Sequence, residues 1–448
     1  MTAITKRPRS PRLTKNTPRS RNLSVAVALG ALALSAQPSA GPEPGGWFAG
    51  DPHVHCDCGV AGGLTVTPEQ VFAAMSTNRL AVVSLLADMG NGEVRDAPRD
   101  LPKINGKDLP LSTPRQILHW DAEWHFDPEG VTFDQKAIGG HLILLGLQHG
   151  ERTFSEYTYP VIERAKQQKA VVGYAHMQYL KNDIPHELDC CAPLDYPVES
   201  ALGTIDFLAE DVHGGDSAVQ AYYRLLNCGF RPGLAASTDF PCNFHEPVGT
   251  QLTYVRTADG KLSYRGWIDG IAAGRTVISR NAHREFLDLK VNGKAVPGDE
   301  IALAGKGRVE VDALWSAASP LSGRIEIVLD SVVVASRDVS AVPEHPAALH
   351  ATLDVTESGW ICARRMDAKG HQVHTGAVYV TVSGAPLRAS SADADFFIQF
   401  IDNLIRQTSP GGDWNHFFAR DLSAAQARYR RAREIYVRIA AEARSRGH

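Results

Sequence analysis

The sequence has no Cys-x-x-Cys pair among its 7 cysteines, which removes zinc ribbons and thioredoxin-like redox centres. It has no Gly-x-Ser-x-Gly elbow and no phosphate loop ending in Gly-Lys-Ser/Thr, so serine hydrolases and P-loop enzymes lack their signatures. The glycine pairs Gly62-Gly63, Gly139-Gly140 and Gly214-Gly215 read as turns rather than phosphate cradles. No acidic residue precedes Glu43, although seven basic residues do, from Lys6 to Arg21. The formal charge of -4 therefore conceals an acidic body, with 39 basic residues against 50 acids once that start is set aside. Such a body gives no reason to expect nucleic acid as a partner.

The basic start runs into Leu23–Ala36, an apolar and small-residue stretch that is short for a membrane span and suits the core of a signal peptide. Small residues at Ala36 and at Ser39-Ala40 offer cleavage points, so residues 1–40 are expected to be a leader and the protein to be exported, periplasmic or secreted. No later segment is apolar enough to span a bilayer, so no membrane span is expected after the leader is removed. Export permits disulfides, and an odd cysteine count leaves one thiol over unless it pairs between chains. Oligomeric state is not legible in the sequence.

A chain of 448 residues with 44% apolar and 21% charged residues is globular and exceeds one ordinary domain. From Trp47 to about Phe286, compact apolar runs alternate with helical patterns. Strands are expected at Trp47–His55, Leu80–Ala87, Leu142–Leu147, Ala170–Ala175, Gly203–Leu208 and Gly233–Ser237, with an irregular one near Leu118–Trp124. Helices are expected from Pro68, capped by Thr67, and at Tyr159–Gln168, Ser217–Cys228 and Tyr264–Ala273. This alternation predicts an α/β fold with a largely parallel sheet or barrel over residues 41–286. Period-two segments such as Arg308–Trp315 and Arg324–Leu329 predict a small antiparallel β-sandwich over residues 287–388. Helical spacing returns over residues 389–448, at Phe396–Arg406 and Ser423–Ala443. Trp315 and Trp360 read as core rather than sugar platforms.

The main chemical signal is Gly50-Asp51-Pro52-His53-Val54-His55. Residues two apart on a strand share a face, so His53 and His55 can address one metal ion. Asp88, Glu123, His176 and Asp239 stand at or just past expected strand ends, where the residues of a β/α barrel converge. His141 is the exception, because it precedes its strand.

The stretch Trp47–Asn281 resembles the PHP (polymerase and histidinol phosphatase) metallohydrolases, in the branch of carbaryl hydrolase-like proteins, CehA/McbA. The resemblance rests on the His53-Val54-His55 motif, Gly140-His141-Leu142, Tyr174-Ala175-His176, Ser237-Thr238-Asp239 and Trp267–Thr276. It implies a distorted, about seven-stranded β/α barrel with divalent metal at its mouth and hydrolysis of phosphate or carboxylic/carbamic esters of small molecules. The implied ligands are His53, His55, Asp88, Glu123, His176 and Asp239, holding one or two ions of zinc, manganese or iron. Asp239 or Glu123 is the candidate proton acceptor, and His141 or Arg275 the candidate for orienting developing charge. Met89 and Pro241 stand where the family pattern has histidines, which disfavours a three-metal cluster. Cys56 and His245 are the candidate replacements. The same two departures keep a second reading open, a non-catalytic exported binding protein on a degenerate site.

Overall fold

The structure is a computed structural model that describes residues 41–57, 64–90, 97–125, 139–180, 183–188, 191–211, 216–242 and 247–447. The expected leader, Cys58, Cys190 and His245 lie outside the described residues.

Nine strands build the first part of one large sheet: β1 (Trp47–Val54), β2 (Val82–Asp88), β3 (Ile117–Trp124), β4 (Leu142–Leu145), β5 (Val171–Tyr174), β6 (Phe207–Glu210), β7 (Gly233–Ala236), β8 (Leu252–Arg256) and β9 (Thr276–Ser279). Their hydrogen-bonded order is β9-β8-β1-β2-β3-β4-β5-β6-β7. β1, β2 and β3 run parallel, as do β5, β6 and β7, but β4 is antiparallel to both β3 and β5. β8 is antiparallel to β1, and β9 is antiparallel to β8 and so runs in the direction of β1. The sheet is thus mixed, less parallel than the sequence pattern suggested. β2 to β7 are buried over almost their whole length, which explains why they read as unbroken apolar runs.

The expected closed barrel is not observed, because the strand ladder among the described residues is open at β7. The reason is local. Across the gap from β7, the Thr253 hydroxyl of β8 donates to the Ala236 carbonyl and accepts from the Ala236 amide, both at 2.8 Å. A side chain thereby satisfies backbone groups that a closing ladder would have used. Just beyond, His55 N–H donates to the Phe240 carbonyl at 2.6 Å, and Asp239 N–H donates to the His53 carbonyl at 3.0 Å. The end of β1 and the segment after β7 are therefore stitched together exactly where His53 and Asp239 sit.

The helices form where the sequence signals placed them. Pro68–Thr77 starts on a capping box, with Thr67 accepting from the Gln70 amide and Gln70 accepting from the Thr67 amide. Tyr264–Ala272 lays Trp267, Ile268 and Ile271 on Val82, Leu86, Ile143, Val171 and Phe207 of the sheet. Each fully buried side chain of this size contributes about 1.5–3 kcal/mol, which anchors the face of the sheet behind the site.

The second part of the chain adds β10 (Glu285–Val291), β11 (Glu300–Leu303), β12 (Gly307–Ala317), β13 (Leu321–Leu329), β14 (Val332–Ala341), β15 (Ala347–Val355), β16 (Gly359–Asp367), β17 (Gly370–Thr375) and β18 (Val378–Val382). β10, β12 and β15 make an antiparallel three-stranded sheet, while β17 pairs with β9 and so continues the large sheet. Trp315 and Trp360 are fully buried, as core residues. Two long helices, Ser391–Thr408 and Leu422–Ser445, pack together at the end of the chain.

Candidate metal centre

The C-terminal ends of the parallel strands share one edge of the sheet. His53 lies in β1 and His55 follows it. Glu123 is the penultimate residue of β3, His176 comes two residues after β5, and Asp239 three residues after β7. His141 precedes β4, yet it reaches the same edge because β4 runs in the opposite direction, with Leu142 opposite both Trp124 and Tyr174. The antiparallel strand removes the exception that the sequence left.

The donor atoms of these residues form two overlapping sets, and a third candidate group brings His53 and His176 together with Asp211. In the first, His53 Nε2 lies 3.0 Å from His55 Nε2, 3.4 Å from Glu123 Oε1 and 3.4 Å from Asp239 Oδ1. His55 Nε2 lies 3.1 Å from Glu123 Oε2 and 3.5 Å from Asp239 Oδ1. In the second, Glu123 Oε1, His141 Nδ1 and His176 Nε2 form a triangle with edges of 2.9, 3.0 and 3.3 Å. Glu123 belongs to both. Divalent ions bound to imidazole and carboxylate at about 2.0–2.2 Å have neighbouring donors roughly 3.0–3.5 Å apart, the edges of an octahedron or tetrahedron. The residues fit a metal centre on that ground.

Backbone and ring contacts hold the donors. His55 Nδ1 faces the Leu86 carbonyl at 3.0 Å, which leaves its Nε2 for the cluster. His176 and Asp239 both adopt left-handed backbone angles, with φ of 57° and 51°. Such angles cost a residue with a side chain about 1–2 kcal/mol and persist where surrounding bonds over-determine them. Here the His176 amide donates to Asp211 Oδ2 at 2.7 Å and the Asp239 amide to His53 O.

The electrostatics are those of charges gathered out of water. Burial opposes charge on His53, but Glu123 and Asp239 overcome it and hold its pKa well above the ordinary range. Burial likewise opposes charge on His176, and Asp211 and Glu123 raise it to about 10. At His141 burial prevails over Glu123 and lowers the pKa to about 4. Burial would raise Glu123, but His53 and His141 hold its carboxyl well below the usual range. Asp239 is raised, burial outweighing its histidine neighbours. Without metal, the cluster is a set of carboxylates sharing protons with imidazoles, the arrangement a divalent cation replaces.

Not every expected residue joins. Asp88 stands beside Glu123 in register, but its Oδ1 lies 2.6 Å from His125 Nε2, and it belongs to none of the three candidate metal-holding groups among the described residues. The His125 ring lies 4.8 Å from that of His141. Arg275 is at the start of β9, which is the opposite edge of the sheet, since Thr276 pairs with Val255 near the start of β1. The arginine at the near end of β9 is Arg280, and it is committed to Glu210 through two bonds of 2.8 and 2.7 Å. Cys56 is buried and is in no candidate group among the described residues.

Sequence reading missed Asp211. It follows β6, is fully buried, and faces both His53 and His176. The strand-end rule that selected Asp239 would have selected it, had the strand been drawn to Glu210 rather than Leu208. Asp51 was also missed as a support: it accepts from the amides of His53 and Thr238, both at 3.2 Å.

No protein-family model matches the chain, and no curated protein matches it. Among solved structures it is similar to a two-domain protein from Bacteroides vulgatus containing a predicted PHP-like metal-dependent phosphoesterase, at 13% identity over 74% of this chain and 95% of that one, with a TM-score of 0.40. It is similar to endonuclease Q in complex with a duplex bearing an abasic lesion, at 14% identity over 50% of this chain and 57% of that one, with a TM-score of 0.31. It is also similar to a CARDB domain from Pyrococcus furiosus in complex with di-metal ions, at 15% identity over 22% of this chain and 96% of that one, with a TM-score of 0.17. Likenesses at this level leave the chemistry to the geometry of the donor atoms.

Proposed function

We propose that the protein is an exported metal-dependent hydrolase of the PHP type, in the CehA/McbA branch, acting on a phosphate or carboxylic/carbamic ester of a small molecule. The observation that carries the reading is the pair of donor sets joined by Glu123, with edges matching a coordination shell. His53, His55, Glu123 and Asp239 would hold one ion of zinc, manganese or iron. Glu123, His141 and His176 would hold a second, in the manner of paired-metal hydrolases. When bound, such ions supply Lewis acidity and lower the pKa of water to near neutrality.

The chain's own residues then have distinct tasks. Glu123 sits between the two sets and presents one oxygen to His141 and both to the first set. Asp239 is at the rim of the cluster, its side chain 14% exposed, where it can take a proton from the attacking water. His141, at 15% exposure, is the other group open to a substrate, and its imidazole is poised to orient developing charge. Asp88 is assigned to holding His125 rather than to an ion. Cys191 and Cys242 are each disulfide-bonded, which supports an oxidising compartment and therefore export.

Elemental analysis of the chain from residue 41, purified without chelator, tests the reading. The expected result is one or two equivalents of divalent metal, lost in His53→Ala, with turnover on a panel of phosphate, carboxylic and carbamic esters. A protein that carries no metal and takes up none when it is added would overturn it and favour a non-catalytic binding protein.

A further inference from the structure

Asp211 stands outside the two donor sets and, like Glu123 within them, faces a histidine of each. Its Oδ1 lies 3.4 Å from His53 Nδ1, and its Oδ2 lies 3.1 Å from His176 Nδ1. These are the inward ring nitrogens, on the far side of each imidazole from the clustered Nε2 atoms. Both Nδ1 atoms are buried and have no hydrogen-bond partner among the described residues, so Asp211 faces them as the neighbouring carboxylate at ion-pair distance. Asp211 is itself fixed. Oδ2 accepts from the His176 amide at 2.7 Å, the Ser237 hydroxyl donates to Oδ1, and the Asp211 carbonyl accepts from Gln251 Nε2 at 3.1 Å.

We propose that Asp211 is a positioning residue that holds His53 and His176 with one carboxylate and so links the two ion positions. This rests on the hydrolase reading above. A carboxylate behind an imidazole keeps the proton on Nδ1, turns the Nε2 lone pair toward the metal and raises its basicity. At most metal sites each histidine has its own such partner. Here one residue serves a histidine from each set, and it also fixes the left-handed backbone of His176. Removing its charge should weaken both positions together, whereas removing a ligand of one set should weaken that set alone.

The test is titration of the chelator-stripped chain with zinc against a chromophoric competitor, for wild type, Asp211→Asn and His141→Ala. Cobalt substitution adds a visible spectrum that reports ligand geometry. Wild type is expected to take two equivalents. Asp211→Asn should keep both, each with affinity reduced about 10–100-fold, and with an altered cobalt spectrum. His141→Ala should weaken one equivalent only. Loss of one equivalent outright in Asp211→Asn would make Asp211 a direct ligand and overturn the proposal, as would two unchanged affinities or a change confined to one. If Asp211→Asn does not fold, Ser237→Ala, which removes only the hydroxyl donor to Oδ1, must weaken both positions in the same direction, and failure to do so also overturns it. A wild-type protein that takes up only one equivalent overturns this proposal and leaves the hydrolase reading standing, whereas one that binds no metal defeats the hydrolase reading first, so the two failures are distinguishable.

Discussion

Thr238 Oγ1 donates to Asp51 Oδ2 at 2.6 Å, beneath the cluster, and so ties the segment before Asp239 to the strand that carries His53. Asp51 is fully buried, and burial, only partly offset by the Thr238 hydrogen bond and by His53, raises its carboxyl to about 7. Thr238→Val removes the hydroxyl without changing volume and leaves a buried acceptor short of a partner. A loss of about 1–3 kcal/mol is expected, read from urea unfolding, with Thr238→Ser retaining most of the stability. Equal stability of Thr238→Val and wild type would mean that this bond is dispensable.

Glu210 and Arg280 form a fully buried bidentate pair, with His371 Nε2 at 3.2 Å from the same carboxylate. Removing the guanidinium leaves the buried Glu210 carboxylate with His371 alone in place of a bidentate partner. Arg280→Met is expected to cost about 3–5 kcal/mol. Adding Glu210→Gln to that variant should recover much of the loss. A double mutant less stable than Arg280→Met alone would contradict this account.

Asp195 gives a pH dependence. Its carboxyl is raised to about 7, first by burial and then by Glu199, while Thr158 and Tyr429 hydroxyls donate to it at 3.0 Å. A raised acid holds its proton in the folded state over a range where the unfolded chain has released it. Stability from this group is therefore greatest below about pH 4 and falls as the pH rises toward 7, by at most about 1.4 kcal/mol per pH unit. The difference in unfolding free energy between wild type and Asp195→Asn, followed from pH 4 to 8, should drift in favour of the variant and level off above pH 7. A difference independent of pH would show that Asp195 is not raised.

Metal binding should appear as stability. An ion that binds only the folded chain adds about 2.7 kcal/mol at 100 times its Kd. A strong chelator should therefore lower the unfolding midpoint of wild type and leave His53→Ala unchanged. The same shift in both proteins would place the chelator's effect elsewhere.

Much of the site could be read locally. The His53-Val54-His55 spacing needs only the two-residue period of a strand, and Glu123, His176 and Asp239 follow from the rule that strand ends meet on one edge. Helix starts such as Thr67-Pro68 and the alternating strands after Leu287 are equally local. Each depends on neighbours within a few residues, and the chain's order supplies those directly.

Tertiary structure decided the rest. That His141 reaches the same edge as the other donors depends on β4 running backwards, a matter of strand pairing that no window of sequence records. Asp88 turned to His125, Arg280 took the edge position expected for Arg275, and Asp211 came to stand behind two histidines 35 and 158 positions away from it in the chain. The sheet stayed open because Thr253 bonded across the gap to Ala236. The physical reason is common to all five. Periodicity and strand ends are set by local backbone geometry. Which side chain faces which across the edge of a sheet is set by strand direction, register and the path of the loops between.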